Sequence, residues 1–263
     1  VSNSSSGNTD IEACAEEIAD RLGSGGTIVA LTGAGISRES GVPTYRGLDG
    51  VWTKFPEEIA TPQTLHREPE LFWEFHDTLR RILVTAKPNA AHFALADMEA
   101  AFNGADHCEF AIITQNIDGL HQAAGSAKVI ELHGSATRNF CEACGRDHND
   151  LPSPLLQLPP RCECGAVIRP DIVLFNEGLP ANALYEADRL ASGADVMLVV
   201  GTSANVFPAA SIPVITYERG GLIVEVNPEA TALSRIAQRK LRGPAGESLP
   251  LLWEKLRPLL AIT

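Results

Sequence analysis

His133 closes a short apolar run, Val129 to Leu132, and stands directly before Gly134. An imidazole is mostly neutral near pH 7, which suits it to act as general base on a hydroxyl. Eight residues after His133, four cysteines begin in the pattern C-x2-C-x17-C-x-C: Cys141, Cys144, Cys162 and Cys164. A tetrahedral zinc site uses two such pairs, normally as C-x2-C-x15–20-C-x2-C. Here the second pair is one residue tighter, and Gly145 and Gly165 after the pairs supply the turns a thiolate knuckle needs. Two disulfides are the alternative; the spacing favours one zinc ion. Four thiolates leave no open coordination position, so such an ion would be structural.

Further chemistry-bearing residues follow apolar runs. Gly33-Ala34-Gly35-Ile-Ser37 comes after Thr27 to Thr32. Glycines there let backbone N–H groups approach a pyrophosphate. Arg38 replaces the third glycine of the dinucleotide fingerprint, so this loop alone reads equally well as a tight turn. Gln115-Asn116-Ile-Asp118 follows Phe110 to Thr114 and suits a carboxamide, a ribose or an ordered water. Asp118 could equally cap a helix starting at Gly119. Gly201-Thr202-Ser203 follows Val196 to Val200, and Asn227 follows Leu222 to Val226. Each of these alone reads as helix capping. Their recurrence at four strand ends favours a nucleotide, since open α/β sheets gather ligands at the carboxyl ends of their strands. The other six histidines (His66, His76, His92, His107, His121 and His148) are read as structural.

The elements that must position these residues alternate. Helical patterns at Ile11 to Leu22, Asn89 to Phe102, Ala181 to Ala191 and Ala209 to Tyr217 lie between most of the apolar runs. That alternation predicts an α/β fold: a Rossmann-like parallel sheet with helices on both faces. Two segments break it. Residues 41–87 read as loop and then helix, with Phe72, Trp73 and Phe75 near its start. Residues 139–170 carry the cysteines and little apolar periodicity. Both are expected as inserts that form a smaller helical and zinc-binding domain. The large domain is then 11–40, 88–138 and 171–263. Residues 1–10, rich in Ser and Asn, are expected to be a disordered tail.

The 263 residues carry a formal net charge of -12. Phosphate-backbone binding needs a basic surface, so direct nucleic-acid binding is disfavoured, whereas a basic peptide would be attracted. No apolar run reaches membrane-spanning length. Six cysteines, four with metal spacing, point to a reducing, cytoplasmic setting.

Taken together, the motifs resemble the sirtuin family of NAD-dependent protein-lysine deacylases, from about Thr27 to Glu247. The segments that carry the resemblance are Gly33 to Ser37, Gly41 to Gly47, Pro88 to His92, Gln115 to Asp118, Leu132 to Gly134, the four cysteines, Arg169-Pro170, Gly201 to Ser203, Asn227-Pro228 and Ala245 to Glu247. Each is short; their order and spacing are specific. The resemblance implies NAD and one structural zinc as cofactors, and acylated lysine side chains of proteins as substrates. It implies that the acyl oxygen attacks the ribose carbon bearing nicotinamide, that His133 acts as base on the ribose hydroxyls, and that water releases lysine and O-acyl-ADP-ribose. Asn116 and Asp118 would join His133 in catalysis. With Gly33, Ala34, Gly35, Gln115, Gly201, Thr202, Ser203, Asn227 and Ala245, they would also line the NAD site, and Tyr45 and Arg46 would lie in the cofactor loop. Val173, Phe175, Asn176, Glu177 and Val206 would meet the substrate.

Departures from the family bear on specificity. Members that remove acidic acyl groups carry Tyr-x-x-Arg after a Trp-x-Phe-like segment. Aligning Trp73-Glu-Phe75 puts His76 and Leu79 at those places, with Arg80 and Arg81 one and two positions on. The family strip Val-Val-Trp-Phe-Gly-Glu reads Ile172-Val-Leu-Phe-Asn-Glu177 here, so Leu174 and Asn176 replace Trp and Gly. Acetyl or longer neutral acyl groups are therefore expected. The competing readings are mono-ADP-ribosyl transfer, NAD hydrolysis, or a module that binds NAD or ADP-ribose without catalysis. The intact His133, Asn116 and Asp118 favour the deacylase.

Overall fold

The computed structural model describes residues 4–45, 50–105 and 107–260. Among the described residues, eight strands run as β1 (Gly26–Thr32), β2 (Cys108–Thr114), β3 (Val129–Glu131), β4 (Gly134–Cys141), β5 (Ile168–Ile172), β6 (Val196–Val200), β7 (Leu222–Val226) and β8 (Arg239–Leu241). Six of them form an all-parallel sheet in the order β3-β2-β1-β6-β7-β8. This is the doubly wound order, whose direction reverses between its two halves at β1 and β6.

The strand residues explain the layering. In β1, Ile28 and Ala30 face one core while Val29 and Leu31 face the other, and all four are fully buried. Continuous apolar strands of this kind need helices on both faces. One face is covered by α1 (Ser4–Leu22), α5 (Ala90–Asn103) and α9 (Ala245–Leu256). The other is covered by α7 (Ala181–Gly193) and α8 (Ile212–Glu218). α1 begins inside the segment expected as a tail, whose first three residues lie outside the described ones. The short α6 (Leu120–Ala123) follows β2.

Outside the sheet lie α2 (Val51–Lys54), α3 (Pro62–Arg67), α4 (Pro69–Leu83) and the antiparallel pair β4–β5. α3, α4 and the β4–β5 pair pack around their own core, where Leu65, Phe72 and Trp73 meet Cys141, Cys162, Ile168 and Leu174, while Val51 of α2 packs with Ile59 and Phe75. The Trp73 indole donates to the Ile168 carbonyl at 2.9 Å. Arg80 donates to the Leu151 carbonyl at 3.1 Å, and Asp77 accepts from the Leu155 amide at 3.3 Å. These bonds tie α4 to the cysteine-bearing segment. That segment contains strand structure, β4 and β5, which its polar sequence did not announce. His133 itself sits in the two-residue turn between β3 and β4, one residue past the strand end expected from the apolar run.

Candidate active site and cysteine cluster

The reversal of winding places two glycine loops face to face. The amide of Gly33 donates to the Val200 carbonyl at 3.0 Å, and that of Gly35 to the Gly201 carbonyl at 2.8 Å. Gly201 adopts a φ of 59°. The loops hold each other so closely that a Cβ on Gly35 would lie 2.6 Å from the Gly201 oxygen. Above them opens a cleft of about 1740 Å³. Its walls include Gly33, Ala34, Gly35, Tyr45, Gln115, Asn116 and His133, then Gly201, Thr202, Ser203, Asn227 and Ala245. His76, Leu79, Val173, Phe175, Asn176, Glu177 and Val206 line the same cleft. Thus residues from nine separate stretches of sequence converge on one cavity. Arg46 lies outside the described residues.

Further bonds fix the rim. The Gln115 side chain donates to the Thr202 hydroxyl at 3.1 Å, and the Asn227 amide donates to the Thr202 carbonyl at 3.0 Å. Ala245 opens α9, and the next amide, Gly246, donates to the Glu39 carboxylate at 2.7 Å. Glu225 is fully buried under the 227–235 loop. Its carboxylate accepts from Ser234 at 2.6 Å, from the Thr231 hydroxyl, and from Arg242 at 2.6 Å. Burial pushes this carboxyl up, but those three donors outweigh it and hold the group below the usual range. Sequence patterning could not single out Glu225, an acidic residue inside an apolar strand.

His133 Nδ1 lies 2.8 Å from the Gln115 carbonyl. A carbonyl only accepts, so Nδ1 carries the proton and Nε2 keeps its lone pair. Burial lowers the imidazole pKa below its ordinary value, opposed by that hydrogen bond, so the ring is a neutral base at pH 7.

Behind Asn116 lies a buried polar chain. The Asn89 amide donates to His92 Nδ1 at 3.3 Å, which leaves His92 Nε2 as a donor toward Ser37 Oγ at 3.4 Å. Asn116 Nδ2 also donates to Ser37 Oγ, at 3.2 Å, and Ser37 donates to Asp118 at 2.7 Å. The second Asp118 oxygen accepts from the Leu120 amide at 2.9 Å. Burial pushes the Asp118 carboxyl up, against these donors. Asp118 therefore stands behind the cleft wall, 7% exposed, and acts on the cleft through Ser37 and Asn116. α6 starts at Leu120 with Gly119 as its N-cap, so Asp118 stands one residue before the cap position that the capping reading gave it, while its carboxylate still accepts from the first helical amide. A second chain runs from His121 Nε2 to Thr32 at 2.9 Å, on to Thr114 at 2.8 Å, where the Asn116 amide also donates at 3.0 Å. Ser37, His92 and His121 were not singled out as site residues. Each is buried, and burial of polar groups leaves no periodic trace in a sequence. Arg38, the residue that breaks the glycine fingerprint, also lines the cleft.

Asn176 has a φ of 72°. Only glycine adopts that region freely, and asparagine is among the side chains that tolerate it best. This accounts for Asn in a position where the resembling family carries Gly. Glu177 accepts from the Leu174 amide at 2.9 Å and from Arg169 at 2.5 and 2.8 Å. Arg169 also donates to the Ile172 carbonyl at 3.1 Å and to Glu142, beside Cys141, at 2.9 Å. The cysteine knuckle thus reaches the cleft strip through one guanidinium.

The four cysteine sulfurs lie within 4.8 Å of one another, and none forms a disulfide. Cys141 and Cys164 are 3.5 Å apart, Cys144 and Cys162 3.6 Å. A tetrahedral zinc with Zn–S bonds of about 2.3 Å needs sulfurs about 3.8 Å apart, so the donor set fits. Knuckle turns close each pair: Gly145 donates to the Cys141 carbonyl and Gly165 to that of Cys162, both at 2.8 Å.

These features define an α/β protein with a nucleotide-type crevice at the switch point, a half-buried imidazole base and a metal-type cysteine module. The chain belongs to the Sir2 family, whose profile matches residues 33–208. A relative from Aquifex aeolicus (strain VF5), an NAD-dependent protein deacylase, is 47% identical over 88% of this chain and 95% of its own. The solved structure of a Sir2 homolog–NAD complex is 42% identical, with a TM-score of 0.83 over 93% of this chain and 94% of that one. A Sir2–p53 peptide–NAD+ structure is 39% identical, with a TM-score of 0.81 over 91% of this chain and 97% of that one.

Proposed function

We propose that the protein is an NAD-dependent protein-lysine deacylase that prefers acetyl or longer neutral acyl groups. The observation that carries this is His133: a neutral imidazole whose Nδ1 is occupied by Gln115, with Nε2 free beside Asn116 in the switch-point cleft. A site that only binds a nucleotide has no need of such a base. Gly33 to Gly35, Gly201 to Ser203, Asn227 and Ala245 would hold NAD, with the small domain, 41–87 and 139–170, covering it. Bound there, NAD supplies the ribose carbon that takes the acyl group, so that with water the products are nicotinamide, free lysine and O-acyl-ADP-ribose. His133 Nε2 accepts the proton from a ribose hydroxyl. Asn116, held from behind by Ser37, orients the ribose, and Asp118 holds Ser37. The strip Val173 to Glu177 meets the peptide. Free cysteines and an acidic surface support a cytoplasmic setting and a protein, not nucleic acid, as direct partner.

The test is mass spectrometry on one peptide carrying acetyl-, myristoyl- or succinyl-lysine, with and without NAD. The neutral groups should be removed only with NAD, and faster than succinyl. His133→Ala should lower kcat by about 10²–10⁴-fold while NAD still binds. Because the base must be neutral and its pKa lies below 6.5, the acid limb of kcat/KM should fall below that pH. A variant within tenfold of wild type would remove His133 from the role of base.

A further inference from the structure

Strand β7 reads Leu222-Ile-Val-Glu-Val226, and every residue in it is buried. Four of them are what a central strand needs. Glu225 is not: a wholly enclosed carboxylate is costly unless its partners are supplied. Alternation along the strand turns it to the same face as Ile223, toward the core that holds Leu233 and Ala237.

Its partners come from beyond the carboxyl end of the strand. One carboxylate oxygen accepts from the Thr231 hydroxyl, the other from Ser234 and from Arg242, each at 2.6 Å. Arg242 does more than neutralise the charge. Its Nη1 donates to the Asn227 carbonyl at 3.3 Å and to the Glu229 carbonyl at 3.0 Å, and its Nη2 to Ser234 Oγ at 3.1 Å. Ser234 Oγ in turn accepts from the Thr231 amide at 2.9 Å. One guanidinium and one carboxylate thus hold the loop at Asn227, Glu229, Thr231 and Ser234. A rigid fork of donors can span such a set; a lysine ammonium cannot.

The loop so held is a wall of the cleft, lined by Asn227, Pro228, Glu229, Ala230, Thr231 and Ala232. Neither Glu225 nor Arg242 is among the lining residues: the carboxylate is enclosed, and the Arg242 side chain is 34% exposed to solvent. Arg242 also stands three residues before Ala245, which opens α9, so it joins the loop to the next wall. Sheet order sets which half of NAD lies there. His133 and Asn116 follow β3 and β2, the two glycine loops follow β1 and β6, and the 227–232 wall follows β7. With the reacting ribose at His133 and the pyrophosphate at the glycine loops, the adenosine half falls to the β7 wall. A buried ion pair gains little stability over an apolar side chain, and Ile223 shows that this face of β7 accepts one. What the pair adds is a fixed loop.

Resting on the NAD reading above, we propose that Glu225 and Arg242 are positioning residues for the cofactor: together they hold the 227–232 wall in the shape that receives adenosine, and neither touches NAD nor takes part in acyl transfer.

NAD and ADP-ribose are titrated by calorimetry into the zinc-loaded protein, as wild type, Arg242→Gln and Arg242→Lys. For each, kcat, the KM for NAD and the KM for an acetyl-lysine peptide are measured, with urea unfolding as the check on the fold. ADP-ribose carries the adenosine half without nicotinamide. Arg242→Gln should weaken both ligands by about tenfold and by the same factor. It should raise the KM for NAD alike, while kcat at saturating NAD and the peptide KM change by no more than about twofold. Arg242→Lys keeps the charge beside Glu225 but cannot bridge both carbonyls, so it should recover only part of the loss. Adding Glu225→Gln to Arg242→Gln should weaken NAD by less than the product of the separate effects, as for residues that act as one unit. A merely structural pair would lower the urea midpoint and leave the folded protein's affinity alone. Folded Arg242→Gln with wild-type Kd values therefore overturns the proposal, as does an equal rise in peptide KM. If Arg242→Gln does not fold, a wild-type Kd for NAD in Arg242→Lys overturns it. Weaker NAD with unchanged ADP-ribose shows that the β7 wall does not take adenosine; the inference then fails and the deacylase reading stands. If wild type removes no acyl group yet the Kd values shift as expected, the inference stands and the deacylase reading fails.

Discussion

Substituting Gly201 by alanine puts a methyl group where two backbones already touch. An alanine Cβ there would lie 2.3 Å from the Ile36 nitrogen and 2.6 Å from the Gly35 carbonyl carbon. Both are main-chain atoms of the facing loop, so no side chain can swing away. Two costs add. The φ of 59° costs an alanine about 1–2 kcal/mol. Forcing apart a close-packed contact adds about 1–3 kcal/mol. The expected loss is therefore about 2–5 kcal/mol, a large part of a typical stability of about 5–15 kcal/mol. Gly220 isolates the first cost. Its φ is 85°, it is exposed after α8, and a Cβ there would meet nothing within 4 Å. Gly220→Ala should lose only about 1–2 kcal/mol. Urea unfolding of the two variants, with zinc present throughout, measures the difference. NAD titration gives a second readout: the parted loops line the cleft, so Gly201→Ala should weaken NAD by tenfold or more, while Gly220→Ala leaves it unchanged. Equal destabilisation by the two substitutions, with equal NAD affinity, would show that the close approach of the glycine loops does not build the site.

Two further outcomes are expected. Metal analysis should find one zinc per chain, and Cys162→Ser should lose the metal and unfold the small domain, because zinc binding is a folding contribution there; a folded, metal-free chain would refute this. Arg169→Ala should raise the peptide KM about tenfold with little change in the KM for NAD, since Arg169 orders the Ile172–Glu177 strip and touches none of the glycine loops; a larger effect on NAD would refute that assignment.

How much of this was legible depended on whether a residue's role leaves a local pattern. The central strands did, because burial on both faces forces continuous apolar runs such as Val196–Val200. The knuckles did, because four ligands to one ion fix their spacing. β8, Arg239–Leu241, did not: an edge strand pairs on one side only, and two of its three residues are cations. β4 did not either, since Thr137, Arg138 and Asn139 lie on a two-stranded ribbon with a register shift. α9 passes through Pro250 and carries no clean stop or start, although Leu249, Leu252 and Leu256 hold it to the core.

The site divides along the same line. Residues that present backbone or short polar groups at strand ends were found from sequence, because position at a strand end is itself visible. Residues that act from behind were not. Ser37, His92, His121 and Glu225 are almost wholly enclosed, and each is defined by its partners across the chain. A buried polar group is tolerable only when those partners are supplied, and three-dimensional packing alone supplies them. His76 is the informative exception. It is as buried as His92 and His121 and, like them, is kept neutral by burial, but the resemblance placed it where acidic-acyl members of the family carry a tyrosine. Its Nε2 has no partner in the protein, and neither has His121 Nδ1, so an unpaired ring nitrogen does not by itself set it apart.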